Sequence, residues 1–369
     1  MAKQLCVFVG TYTQPIKFGT GQILEGKGEG IYCYELDLKT GKLILISITA
    51  GIANPSYLVL DESRKFLYAV NELKEFEGKV SGAVSAFSIE PARKLSLINQ
   101  KATLGTDPCY VTVNNKNTHI FVTNFASGSI GVFPKKADGS LEEHSQFIQH
   151  KGLSVDPKRQ LGPHAHSLTF DRDNDYAFVP DLGIDKLMIY KFNHANGRLE
   201  TGSTPYLASE PGAGPRCCVF HPEGRFCYLV NELNSTLSAL SYDKAAGSFK
   251  AAQTVPTIID GSGAENICAD VQISPDGQYV YASNRGHDSI IIYRIDQASG
   301  KLTYVATEPC GGKTPRNFAI DPTGTYLLVG NQDTDNIVVF ARNLSDGTLK
   351  KASETKVGTP VCIKPYFLD

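Results

Sequence analysis

A chain of 369 residues, 41% of them apolar and 20% charged, has the make-up of a globular protein with a sizeable core. Its net charge of −2, from 36 basic and 38 acidic residues spread along the chain, leaves no basic stripe to displace counterions from phosphates, so no nucleic-acid partner is expected. The first apolar run, Leu5 to Val9, is shorter than the roughly 7–15 residues of a signal peptide, and nothing approaches the roughly 18 apolar residues of a membrane span, so a cytoplasmic protein with no membrane partner is expected.

Six segments in chain order share one pattern of strand, polar turn and strand. They begin at Asn54 (NPSYLVLDESRKFLYAVNE), Asp107, Pro163, Gly214, Ile267 and Thr314, and close on Asn71, Asn124, Asp181, Asn231, Asn284 and Asn331. Asp, Asn, Pro and Gly at fixed offsets supply the turn chemistry. A second hairpin follows each, with turns such as DLKTGKL, NHANGRL and NLSDGTL. Seven second hairpins stand against six first ones; LCVFVGTY at the N-terminus and VCIKPYFL at the C-terminus supply the missing pair of strands. Four antiparallel strands in about every 50 residues, seven times over, predict an all-β, seven-bladed β-propeller. Pairing of the N- and C-terminal strands is expected to close the ring, making 1–369 one domain. Nine scattered cysteines without a C-x-x-C pair read as reduced, buried small hydrophobes, with no disulfide framework, metal or cofactor.

Antiparallel order puts the start of the first strand and the end of the second on one rim of each blade. Counted back by one offset from each closing Asn or Asp, the first-strand position reads Ser56, Cys109, His166, Arg216, Ala269 and Arg316. The residue after the closing position reads Glu72, Phe125, Leu182, Glu232, Arg285 and Gln332. Consecutive repeats are neighbours around a ring, so three arginines, a glutamate and a histidine are expected at one mouth. Arginines there can bridge blades through backbone carbonyls or through Glu232. Several like charges gathered without an anion repel one another, which favours an anion-binding pocket.

At these residues the chain resembles the seven-bladed lactonase family of bacterial-type 6-phosphogluconolactonases and fungal 3-carboxy-cis,cis-muconate cyclases. The resemblance runs over the whole chain and is carried by GAGPRCCVFHP with VNELNS, by PHAHS, by ADVQISPDGQYVYASNRG and by TPRNFAIDPTG. It implies a carboxylic ester hydrolase opening 6-phosphogluconolactone in the pentose phosphate pathway, with His166, Arg216, Glu232 and Arg285 at catalytic or substrate-binding positions. PHAHS also offers His164. Arg159 before the histidines, with Arg316, Gln332 and Glu72, completes a set of candidate contacts to a small anionic substrate. In this reading His166 activates water, since an imidazole titrates near neutrality, and Glu232 orients the water or the ring. One of Arg216 and Arg285 stabilises the oxyanion, and the other, with Arg316, grips phosphate or carboxylate. The alternatives are cyclisation of a carboxylated muconate and a non-catalytic propeller that binds a partner. GQILEGKG, from Gly21 to Gly28, lacks the Ser or Thr and the helix of a phosphate loop and reads instead as a candidate lid. No G-x-S-x-G elbow appears.

Overall fold

A computed structural model describes residues 4–18, 21–259, 261 and 265–368. Among them, seven four-stranded antiparallel sheets form the blades of a β-propeller. Blade 1 comprises Pro55–Leu60, Phe66–Asn71, Ala83–Ile89 and Leu95–Ala102. Blade 2 comprises Pro108–Val113, His119–Asn124, Ser129–Pro134 and Gln146–Gln149. Blade 3 comprises Thr169–Phe170, Tyr176–Asp181, Lys186–Asn193 and Arg198–Ala208. Blade 4 comprises Pro215–Phe220, Phe226–Asn231, Thr236–Asp243 and Ser248–Pro256. Blade 5 comprises Ile267–Ile273, Tyr279–Arg285, Ser289–Ile295 and Leu302–Pro309. Blade 6 comprises Pro315–Ile320, Tyr326–Asn331, Asn336–Arg342 and Leu349–Lys356. Blade 7 joins the chain ends, with Pro360–Leu368 beside Gln4–Thr11, then Gly30–Leu36 and Leu43–Ala50. Strands within a blade are lettered a to d in that order. The expected sharing of one blade by the two termini is therefore present. Ile16–Lys17 and Ile23–Leu24 pair as a small ribbon in the connection read as a lid.

The blades fall into two compact units. One holds blades 4 to 6 and most of blade 7; the other holds blades 1 to 3 and residues 10–31. In the first unit, Tyr228, Val230 and Leu237 pack with Val280, Ala282 and Ile291 in one apolar cluster joining blades 4 and 5. Blades 5 and 6 are joined in the same way around Tyr281, Ile290, Phe318 and Val338. In the second unit, one cluster joins blades 1 and 2 through Tyr68, Val84 and Val122, and another joins blades 2 and 3 through Phe121, Ala177 and Phe192. The b strands of blades 4 and 6 are buried throughout, whereas the d strands alternate with exposed residues. This gradient explains why the b strands read as continuous apolar runs.

A buried tyrosine repeats as a polar tie. Tyr68 donates to the carbonyl of Gly139 at 2.8 Å, Tyr228 to Gly300 at 2.9 Å and Tyr281 to Gly347 at 2.8 Å. Each acceptor lies in the c–d turn of the following blade. The turn glycines have φ of 85°, 71° and 78°, a region open to glycine at no steric cost. All cysteines except Cys217 are buried and none is cross-linked.

The start of strand a is interrupted by a bulge that recurs. Pro55 opposes Asn71 and Tyr57 opposes Val70, leaving Ser56 unopposed; Cys109 and Arg316 are left out in the same way. A bulge bends the strand and re-aims the extra side chain, so blades 1, 2 and 6 each carry one redirected residue at the same place. Blade 3 departs from expectation. Its a strand is reduced to Thr169–Phe170, with Ala165 and Asp181 meeting as an isolated bridge. Pro180 on the partner strand has no N–H to return to His166, so the pairing is one-sided there. The Pro180 carbonyl accepts the His166 amide, and beyond it the Leu182 amide donates to the His164 carbonyl, both at 3.0 Å.

Removing one tie tests this packing. Tyr228→Phe leaves the buried Gly300 carbonyl without its donor and should lower unfolding stability by about 1–3 kcal/mol in a denaturant titration, while Tyr206→Phe, on a half-exposed d strand, should change it little.

Candidate active site

In the unit of blades 4 to 7, three of the predicted residues meet on one oxygen. Arg216 is the second residue of strand a of blade 4, and Glu232 and Arg285 follow the closing Asn231 and Asn284. Glu232 Oε2 lies 2.9 Å from Arg216 Nε and 2.8 Å from Arg285 Nη2. Their side chains are only 6%, 4% and 10% exposed for Arg216, Glu232 and Arg285. Arg216 Nη1 also donates to the Ala269 carbonyl, and Arg285 Nη2 to the Cys268 carbonyl at 2.8 Å. Both bridging roles foreseen for the arginines are therefore present, to Glu232 and to the neighbouring blade. Two guanidinium groups thus share one carboxylate in a place where solvent screens charge poorly.

A carboxylate missed by the sequence reading stands next to this cluster. The expected rim residue of blade 5 was Ala269, but the bulge here lies between Cys268 and Val271 and takes in both Ala269 and Asp270. Asp270 is buried and accepts from Asn317 Nδ2 at 2.6 Å, and Asn317 Oδ1 accepts from the Ile363 amide at 2.7 Å. This chain of contacts links the a strands of blades 5, 6 and 7. Burial pushes the Asp270 carboxyl above its usual range, against the opposing pull of Lys364 and Arg216. A lone aspartate at the head of an apolar strand, in ICADVQIS, was the available signal. Arg316 is half-buried at the bulge of blade 6. Gln332 turns its amide to Asp333, with Nε2 2.8 Å from Oδ1, and its buried Oε1 has no hydrogen-bond partner.

The histidines lie in the other unit. His166 is buried, its amide donates to the Pro180 carbonyl at 3.0 Å, and its Nδ1 is 3.7 Å from Cys109 Sγ, at the bulge of blade 2. His164 is half-buried and stacks on Phe125, with ring centroids 4.6 Å apart, and its Nδ1 lies 2.9 Å from the Phe125 carbonyl. Phe125 meets His166 edge-on at 5.2 Å. Both imidazoles thus contact the same aromatic ring, His164 by stacking and His166 edge-on. Arg159 is half-buried in a turn where Asp156 Oδ1 accepts the amides of Lys158 and Arg159 at 2.8 and 3.0 Å. Gln160 anchors that turn, being fully buried and donating to the Leu182 carbonyl at 2.8 Å.

Glu72 is buried in this second unit and accepts the Tyr12 hydroxyl at 2.9 Å. Its charge acts on Asp107, whose carboxyl is pushed up to about 7, first by burial and then by Glu72, with Lys74 at 3.7 Å opposing.

Residues 6–365 match the family described as lactonase, seven-bladed β-propeller. The 6-phosphogluconolactonase of Bacillus subtilis is 35% identical over 360 residues, covering 97% of each chain. That of Formosa agariphila is 34% identical over 355 residues, covering 95% of this chain and 96% of its own. Among solved structures, the periplasmic gluconolactonase of Pseudomonas aeruginosa superposes with a TM-score of 0.90 at 31% identity, covering 98% of this chain and 99% of its own.

Asp107 provides a pH test of the second unit. Its folded-state pKa lies above the unfolded value, so the folded chain holds a proton that the unfolded chain has lost between about pH 4 and 7. The associated stability is full below that window and is lost as pH rises through it. Asp107 has φ of 51°, which asparagine tolerates. The melting temperature of Asp107→Asn should therefore rise relative to the parent as pH increases from 4 to 8; a constant difference would refute the shift.

Proposed function

The chain belongs to the lactonase family of seven-bladed β-propellers, and from that premise we propose that it hydrolyses 6-phosphogluconolactone to 6-phosphogluconate. The reaction is a carboxylic ester hydrolysis; its place would be the pentose phosphate pathway in the cytoplasm. The curated relatives carrying that activity in their names, alike over nearly their whole length, support the reaction class. One observation of this chain carries the substrate class: two guanidinium groups, of Arg216 and Arg285, are held together on Glu232 Oε2, an arrangement suited to an anion. Among the described residues no helix is long and apolar enough to cross a membrane.

Opening the lactone requires a water oxygen to bond to the carbonyl carbon while the bond from that carbon to the ring oxygen breaks. In our reading His166 takes the water proton and returns it to the departing ring oxygen, as a positioned imidazole can. The positive cluster stabilises the oxyanion as it forms, because its donors are already fixed and largely out of water. Glu232 serves that cluster as the common anchor of both guanidinium groups, in place of the water-orienting task expected of it. Arg316, Gln332 and Arg159 contact the phosphate or the sugar hydroxyls. A forked guanidinium suits phosphate, and the unpartnered Gln332 Oε1 suits a hydroxyl, since burying an acceptor without a donor is costly. His164 and Glu72 are assigned to substrate contact as well.

The test is a paired assay on 6-phosphogluconolactone and unphosphorylated gluconolactone, with muconate cyclisation alongside. The phosphorylated lactone should be turned over with the higher kcat/KM. Arg216→Ala and Arg285→Ala should each lose roughly 10²–10³ in kcat/KM, and His166→Ala roughly 10²–10⁴ in kcat. Equal use of both lactones would remove the phosphate from the reading, and turnover of neither would remove the lactone.

A further inference from the structure

Five blades close strand b with an asparagine; blade 3 alone among the six hairpin repeats closes it with an acid, Asp181. The asparagines act as donors. Asn71 Nδ2 donates to the Ala53 carbonyl at 2.8 Å, Asn284 to Thr257 at 2.8 Å and Asn331 to Cys310 at 3.1 Å, each latching the connection that enters strand a. A carboxylate cannot do this. Asp181 reverses the direction of the latch: its Oδ1 accepts the amides of His164 at 2.6 Å and Gly183 at 3.0 Å. Its Oδ2 lies 2.6 Å from His150 Nδ1, and His150 Nε2 lies 2.9 Å from the Tyr190 hydroxyl.

Donors and acceptors along this chain match when Asp181 is ionised and His150 neutral. With Asp181 ionised, His150 carries its proton on Nδ1 and gives it to the carboxylate. The lone pair on Nε2 is then free to accept from Tyr190. Burial, with the charge of Asp181, raises the Tyr190 pKa and keeps the hydroxyl protonated as that donor. The side chains of His150 and Asp181 are 1% and 0% exposed. A carboxylate buried so deeply is costly unless fully hydrogen-bonded, and an asparagine closes the equivalent strand elsewhere without that cost.

What distinguishes blade 3 is the segment Asp181 holds. Its a strand is the shortened one, so His164–His166 are held to the partner strand only by an isolated bridge, with the Leu182 amide on the His164 carbonyl at 3.0 Å. Asp181 adds a restraint on the other side of His164. The Asp181 bond fixes the backbone at His164, and the His166 amide is fixed on the Pro180 carbonyl at 3.0 Å. Gly183 completes the seat: a Cβ there would come within 1.8 Å of the Gly162 carbonyl oxygen and 2.9 Å of the His164 ring.

We infer that Asp181, backed by His150 and Tyr190, is a positioning residue for lactone hydrolysis, holding the His164–His166 backbone so that the His166 imidazole meets its substrate in register. The inference rests on the reading of His166 as the base. Asp181 itself touches no reacting atom.

Steady-state kinetics on 6-phosphogluconolactone, with thermal melts, test it through Asp181→Asn and Tyr190→Phe. The asparagine keeps the acceptor for the two amides but removes the charge and turns a donor towards His150, which loosens the relay. Asp181→Asn should melt cooperatively and lose about tenfold to a hundredfold in kcat, the cost of a sub-ångström misplacement, with KM within about twofold. Tyr190→Phe should lose several-fold in kcat with the same split. A folded Asp181→Asn with kcat within about twofold of the parent, or a loss carried by KM alone, overturns the inference. Should Asp181→Asn fail to fold, Tyr190→Phe decides by the same criterion. His166→Ala in the same series separates the two levels: if it keeps its turnover, the base assignment falls; if it loses turnover while the Asp181 and Tyr190 variants do not, only the positioning role falls.

Discussion

Glu232 is the constraint on which the positive cluster depends. Two guanidinium groups brought together out of water repel strongly, and removing one partner of such an arrangement leaves an uncompensated buried charge. Here a single carboxylate oxygen is shared by Arg216 and Arg285, at 2.9 and 2.8 Å. That sharing sets the spacing of the guanidinium groups on one carboxylate. Forked guanidinium groups fixed in this way suit an anion, whether a phosphate or the oxyanion of a reacting ester. Backbone carbonyls of Ala269 and Cys268 take further donors from the same arginines, so the groups are held before any substrate arrives. Fixed dipoles and charges of this kind need no reorganisation as charge develops, which is the source of their catalytic value.

The repeat explains how one β-hairpin can serve both as scaffold and as a source of functional side chains. Its body is apolar and buried, and its tyrosine ties and inter-blade clusters demand little of the rim. In blades 1, 2 and 6 its bulge releases one residue from the ladder, and that residue is free to vary: serine in blade 1, cysteine in blade 2, arginine in blade 6. Chemistry therefore changes from blade to blade while the hairpin does not. Blade 3 carries the largest departure, with Pro180 withholding a donor from the ladder and Asp181 replacing the usual asparagine. Those two changes fall beside the only pair of histidines in the chain separated by one residue.

The hairpins could be read from the chain because their turn residues and closing asparagines recur at one offset, and because inner strands packed between neighbours must be apolar throughout. Arg216, Glu232 and Arg285 were found by the same offset, since each stands beside a closing asparagine or its paired strand start. Counting by offset fails where the backbone adds a residue. In blade 5 the bulge holds Ala269 and Asp270 together, so the carboxylate facing Asn317 was passed over in favour of its neighbour. The early start expected for strand a of blade 3 failed for a different reason: the effect of Pro180 is exerted across the ladder, on residues more than ten positions away in sequence. The buried pair of Asp107 and Glu72 likewise comes from separate blades, and nothing local in DPCYVTV marks its aspartate as a group pushed up to about 7. Asp181 was visible as an exception among asparagines, but its meaning required His150 and Tyr190, which belong to other strands and connections.

The central claim is that Glu232 works by holding the arginines, not by its own charge towards the substrate. Calorimetric titration of 6-phosphogluconate into the parent and Glu232→Gln separates these effects most directly. The substitution adds a net positive charge to the cluster, so electrostatic attraction by itself would tighten binding of this anionic product. If the carboxylate's task is to hold both guanidinium groups in place, affinity should instead fall despite the added charge. Tighter binding by Glu232→Gln would contradict the account.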